Sequence, residues 1–203
     1  MRSALDIFRS NIKSVIELHA LHEQFSKLLP ALDLNEILRS EYVLVISALD
    51  RYLHDIVREH LLNIDLSKMA LDNITSQKEY PISLFTVKSL LEEPDETTKK
   101  QLIATDLKKS LEKISFQSSS SVESALRLIG CKKIWKSLGI KLSKTSDDAK
   151  RTLDIMIRRR NIIAHQADIS NENTLEKNEI NRADVDEEIT FIVSLVESIN
   201  QII

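Results

Sequence analysis

Apolar residues in the first part of the chain recur at steps of three and four. Leu5, Phe8, Ile12, Val15, Leu18, Leu21, Phe25 and Leu28 share one face of a helix predicted from about Leu5 to Leu29, which Pro30 ends. Asp33 and Glu36 have the spacing of a capping box, and a second long helix follows to about Leu62. Leu38, Tyr42, Val45, Leu49, Leu53 and Ile56 form its buried arc.

The middle of the chain is less regular. The pattern predicts short helices from Asp65 or Ser67 to Ile74 and from Pro81 to Leu91, a break at Pro94, and a helix from about Thr97 to Ile114. Ser118 to Ser121 is a polar joint before one helix from Val122 to about Leu138, which carries Trp135. Thr145 is the expected N-cap of a helix running through Leu153 and Met156. A polar loop from Gln166 to about Asn181 precedes a last helix from Ala183, with Val185, Ile189, Ile192, Val196 and Ile199 on one face. The period is helical in every long apolar segment, so the expected fold is an all-α bundle. It is read as one domain, 1–203, with residues 66–121 an elaboration between core helices.

Composition narrows the class. Two glycines and three prolines in 203 residues are too few for turn-dense β architectures. A chain of this length buries a core without disulfides, and the single cysteine, Cys131, cannot form one internally. No Cys/His group has zinc-site spacing, so neither metal nor other cofactor is expected. Asp6, Arg9 and Lys13 interrupt the first helix, which therefore lacks the apolar run of a secretion signal, and no stretch is apolar enough to span a bilayer. A soluble, unprocessed, cytoplasmic protein without membrane contact is expected.

The net charge of -3 conceals an asymmetry. Arg127 to Arg160 holds eleven Lys or Arg against three acids, whereas Asp168 to Glu197 holds nine acids against Lys177 and Arg182. Such runs are either solvated helix faces or, for the basic one, a phosphate-binding surface. On a helical wheel Arg160 falls within the apolar arc of Ala149, Leu153, Met156, Ile157, Ile163 and Ala164. A guanidinium aimed into that face requires a carboxylate, a phosphate or a cleft. Asp50, at the edge of the second helix's apolar arc beside Val43, Ile46 and Val57, is a candidate partner; alternatively it faces solvent or caps a neighbouring element. In a regular helix Arg160 and His165 point about 140° apart, so joint action within one chain requires the helix to end or distort between them. At a helix C-terminus the terminal carbonyls favour a cation, and a histidine there is suited to moving protons. No glycine-rich phosphate loop, nucleophile elbow or metal-binding helix motif is present, and Cys131, beside Lys132 and Lys133, reads as an inert helical cysteine.

The run Arg160-Asn161-Ile162-Ile163-Ala164-His165 resembles the HEPN motif of Arg, a polar residue, three further residues and His. Arg39 to Asp55, with its Ser47-Ala48-Leu49-Asp50-Arg51-Tyr52 core, resembles the long early helix of RiboL-PSP-type HEPN domains, and Asn181-Arg182-Ala183-Asp184-Val185 the start of their last helix. The likeness covers about Leu34 to Asp65 and Asp147 to Ile202, with Leu66 to Ser146 unmatched. It implies an HEPN-like helical bundle with a helical insertion. It also implies a metal-independent endoribonuclease acting as a homodimer on RNA, with a prokaryotic toxin or defence setting and a cognate antitoxin or defence-system partner. In that reading His165 transfers protons, Arg160 binds phosphate, Asn161 orients the pair and Asp50 supports it. Lys150, Arg151, Arg158 and Arg159 contact the nucleic acid. The alternative is a non-catalytic HEPN module that binds a nucleotide or a protein. A further one is nucleotidyl modification by a partner enzyme, with Tyr52 or the motif loop as target.

Overall fold

The computed structural model describes residues 3–63, 84–111, 115–171 and 173–203. It begins with two long antiparallel helices, α1 (Ala4–Leu28) and α2 (Asn35–Asn63). Ser3 and Asp6 form a capping box on α1, with the Asp6 backbone N–H donating to Ser3 Oγ at 3.1 Å. The expected box at Asp33 and Glu36 is replaced by a tighter turn in which the Asn35 N–H donates to Asp33 Oδ1 at 2.9 Å. Then come α3 (Leu84–Glu92), α4 (Glu96–Leu111), α5 (Ser119–Leu128), α6 (Ile134–Lys141), α7 (Ser146–Gln166), a hairpin of β1 (Ile169–Asn171) and β2 (Glu176–Lys177), and α8 (Arg182–Ile202). The fold is an all-α bundle, and its only sheet among the described residues is that short antiparallel hairpin, with Ile169 opposite Lys177. The helix expected between Asp65 and Ile74 lies outside the described residues.

α2 is the central element: α1, α4, α5, α7 and α8 all pack on it. Its Leu38, Val45, Leu49, Leu53 and Val57 are buried together with Phe8 of α1, Leu153 of α7 and Val185, Ile192 and Val196 of α8. Each such side chain contributes on the order of 1.5–3 kcal/mol through its removal from water.

The single helix expected from Val122 to Leu138 is two helices. Gly130, at φ 89°, and Lys133, at φ 56°, take left-handed conformations that break the hydrogen-bond ladder between α5 and α6. The break turns Trp135 back so that its Nε1–H donates to the Ser119 carbonyl at 3.1 Å. Gly139 of α6 then lies so close to the next turn that a Cβ there would stand 2.8 Å from the Lys144 carbonyl oxygen. That close approach sets where α7 begins. No helix among the described residues is long and apolar enough to cross a membrane.

Candidate active site

The motif helix is α7, and local chemistry fixes both its ends. Thr145 caps the start, accepting the Asp148 N–H on Oγ1 at 3.0 Å, and Asp147 and Asp148 place negative charge where the helix dipole favours it. Ala149, Leu153, Met156 and Ile157 bury one face. Asp154 reaches across to the start of α5 and accepts hydrogen bonds from the Ser119 N–H at 2.7 Å and the Ser119 hydroxyl at 2.8 Å.

The other end closes on a buried ionic knot. Ala167 and Asp168 leave the helix in left-handed conformations, φ 51° and 60°, and the Asp168 N–H donates back to the Ile162 carbonyl at 3.2 Å. The Asp168 carboxylate is fully buried. Arg39 of α2 donates to Oδ2 through Nε at 2.7 Å, and Arg159 of α7 clasps both oxygens, its Nη2 lying 2.9 Å from Oδ2. Asn178 Nδ2 donates to Oδ1 at 3.1 Å. The two arginines also hold the returning backbone, Arg39 Nη2 donating to the Asn178 carbonyl at 2.8 Å and Arg159 Nη2 to the Glu179 carbonyl at 3.0 Å. The segment after α7 is thereby fastened to both α2 and α7.

Three expectations are corrected by this geometry. The helix neither ends nor distorts between Arg160 and His165: it runs on through Gln166, because the left-handed exit is set at Ala167. The two side chains therefore diverge by about 140° around the helix, with His165 exposed in the last turn and Arg160 half-buried on the other side. Secondly, Arg160 makes no ion pair with Asp50. Its Nη1 donates to Asn161 Oδ1 at 3.0 Å, and its Nε is buried without a hydrogen-bond partner. Asp50 instead accepts the Phe116 backbone N–H at 2.8 Å, capping the chain before α5, as the alternative reading allowed. Thirdly, Arg159 is committed to Asp168, so its guanidinium is occupied within the protein and is not a free phosphate ligand.

Asp50 and Arg160 still share a neighbourhood. Burial raises the Asp50 carboxyl, but His54, the Phe116 N–H and the Arg160 charge together outweigh it and hold the group below its ordinary value. His54 Nε2 lies 3.6 Å from Asp50 Oδ2, and its ring lies against Phe116 with centroids 4.6 Å apart. On the opposite face of α7, Lys150, Arg151 and Arg158 line a shallow groove with Asp147 and Asp154. Arg151 and Arg158 are exposed, whereas Lys150 lies 3.6 Å from Glu123. Tyr52 is fully buried with its phenol unpaired, so it presents no target for nucleotidyl transfer. The Cys131 thiol is half-buried and pushed up by that burial. Among the described residues no group of three or more His, Cys, Asp or Glu side chains is arranged to hold a metal ion.

Sequence reasoning missed Asp168 and the pairing of Arg39 with Arg159. The one signal was a lone acid directly after a basic helix, which names no partner from elsewhere in the chain. His54, which the sequence suggests is a surface or packing residue, lies one helical turn after Asp50 on the same face.

No curated protein and no solved structure matches the chain. The family model described as RiboL-PSP-HEPN matches residues 6–203, including the stretch from Leu66 to Ser146 that no motif had identified. The helical bundle agrees with that match, and the chain belongs to the RiboL-PSP-HEPN family, a nuclease-like or RNA-related helical module of the HEPN superfamily.

Proposed function

We propose that the protein is a metal-independent endoribonuclease that works as a homodimer, with Arg160 binding the scissile phosphate and His165 transferring a proton. The observation that carries the reading is Arg160 itself. It is a half-buried guanidinium with an unpartnered Nε and, among the described residues, no carboxylate bound to it, at the position where the family motif places its arginine. A buried cation without a counter-ion is costly, and a phosphate supplies the missing charge. Asn161 holds one edge of the guanidinium through its side-chain carbonyl and leaves the rest to meet the ligand.

The reaction is attack of a ribose 2′-hydroxyl on the adjacent phosphate, in which the nucleophile is already part of the substrate. It requires a proton acceptor, a proton donor and stabilisation of the charge that builds on phosphorus. Arg160 and His165 diverge within one chain, so the productive pair is Arg160 of one protomer with the histidine of its partner across a two-fold axis. Arg151 and Arg158, exposed on the face of α7 that carries His165, offer a basic surface for flanking phosphates on the histidine side of the cleft. Cleavage of RNA in the cytoplasm suits a toxin or defence component restrained by an antitoxin or another defence-system protein.

The test is incubation of the purified protein, with chelator present, on total RNA and on transfer RNA. Discrete cleavage that disappears in Arg160→Ala and His165→Ala supports the enzyme. RNA left intact supports the non-catalytic nucleotide- or protein-binding module instead.

A further inference from the structure

α2, which packs against α7, carries a histidine and a carboxylate that the Arg160–His165 pair does not use. We propose that His54 is a second proton-transfer residue of the cleavage reaction, positioned by Asp50 and acting beside Arg160. The inference rests on the ribonuclease reading above.

The chemistry demands two proton carriers. As the O2′–P bond forms, the 2′-hydroxyl gives its proton to a base; as the P–O5′ bond breaks, the leaving O5′ takes a proton from an acid. Arginine stays protonated and can serve neither purpose. His165 lies on the far side of α7 from Arg160 in the same protomer. A second carrier near Arg160 has to come from another element, and α2 supplies it.

Geometry favours His54 specifically. The Asp50 carboxylate is fixed by the Phe116 N–H at 2.8 Å and lies 3.6 Å from His54 Nε2. The ring is backed by Phe116, which limits its rotation. Its Nδ1 has no hydrogen-bond partner among the described residues, and about a fifth of the side chain, 21 %, is open to solvent. An imidazole with a carboxylate at ion-pair distance from one nitrogen and the other nitrogen unengaged can take up or release a proton on that open side. The other charged group that acts on Asp50 is Arg160, on α7, which packs against α2, so the ring and its carboxylate lie within electrostatic reach of the phosphate-binding cation.

The test compares wild type, His54→Gln and Asp50→Asn as full-length protein. Binding is read by anisotropy on a non-cleavable 2′-O-methyl RNA oligonucleotide, and cleavage on the matching ribo-oligonucleotide. We expect His54→Gln to bind with wild-type affinity, within about twofold, and to cleave about 10²–10⁴-fold more slowly. Asp50→Asn should slow cleavage by a smaller factor at equal affinity. In the wild type, the ring resonances of His54 should move when the 2′-O-methyl oligonucleotide is added, which keeps the proposal testable if His54→Gln fails to fold. Cleavage by folded His54→Gln at the wild-type rate, or unmoved His54 resonances in a protein that binds and cleaves, would overturn this inference and leave the ribonuclease reading intact. A wild type that cleaves nothing overturns both.

Discussion

Arg39 Nε donates to Asp168 Oδ2 at 2.7 Å across 129 residues of sequence, and both side chains are buried. With Arg159 on the same carboxylate, the contact ties α2, α7 and the hairpin into one unit just beyond His165. Asp168→Ala leaves two guanidinium groups without their shared acceptor. Removal of one partner from a buried ion pair costs about 3–5 kcal/mol, and urea unfolding should show a loss of that order.

The adjacent arginines should separate stability from binding. Arg158 is exposed, so Arg158→Ala should change stability by less than about 0.5 kcal/mol while weakening RNA binding and lowering its salt slope by about one. Arg159→Ala should instead destabilise the fold through Asp168. Unfolding curves and salt-dependent affinities of the two variants check this; equal effects on stability would contradict the assignment.

Glu188 of α8 is fully buried, both of its carboxyl oxygens lack hydrogen-bond partners, and desolvation pushes its proton affinity well above the ordinary value of 4.5. The folded state keeps this proton at pH values where the unfolded chain has lost it. The associated stability is therefore present in acid, begins to decline as pH rises past about 4.5, and is lost as pH passes the raised folded value. Glu188→Gln should flatten that decline. Thermal unfolding of both proteins across a pH series gives the readout, and superimposable pH profiles would refute the prediction.

If the working site is shared across a dimer, the two inactive variants should rescue each other. A refolded equimolar mixture of Arg160→Ala and His165→Ala should regain about a quarter of wild-type cleavage, because half of the dimers are mixed and each has one complete site. A mixture as inactive as its components would count against a site completed by Arg160 of one protomer and His165 of the other. His165→Ala alone should leave the melting temperature unchanged, since the ring is exposed.

The nature of the products tests the chemistry directly. Attack by the 2′-hydroxyl leaves a 2′,3′-cyclic phosphate and a 5′-hydroxyl, and substrates carrying 2′-hydrogen should resist. Mass spectrometry of the fragments decides it; 5′-phosphate ends, or activity abolished by chelator, would point to water attack assisted by metal.

The helical architecture was legible because burial on one side of a helix imposes a period that any reader of the chain can find. Phe8, Ile12 and Val15 on α1 and Leu153, Met156 and Ile157 on α7 are buried as their spacing requires. The cap at Thr145 was an equally local signal, since a capping side chain reaches only the next turn. The break at Gly130 and Lys133 was missed because apolar spacing continues across it, and the left-handed residues that make it depend on how Trp135 packs.

Around the candidate site the division is sharper. The sequence by itself determined the Arg160 to His165 motif and the presence of an arginine on an apolar face. Only the tertiary structure decided the partner of each charge: Asp168 for Arg159 and Arg39, Asn161 for Arg160, the Phe116 amide for Asp50. The physical reason is range. Periodicity and capping act within a turn or two of one helix, whereas an ion pair is selected by which helices cross and where a loop returns, and neither is written in the spacing of residues along the chain.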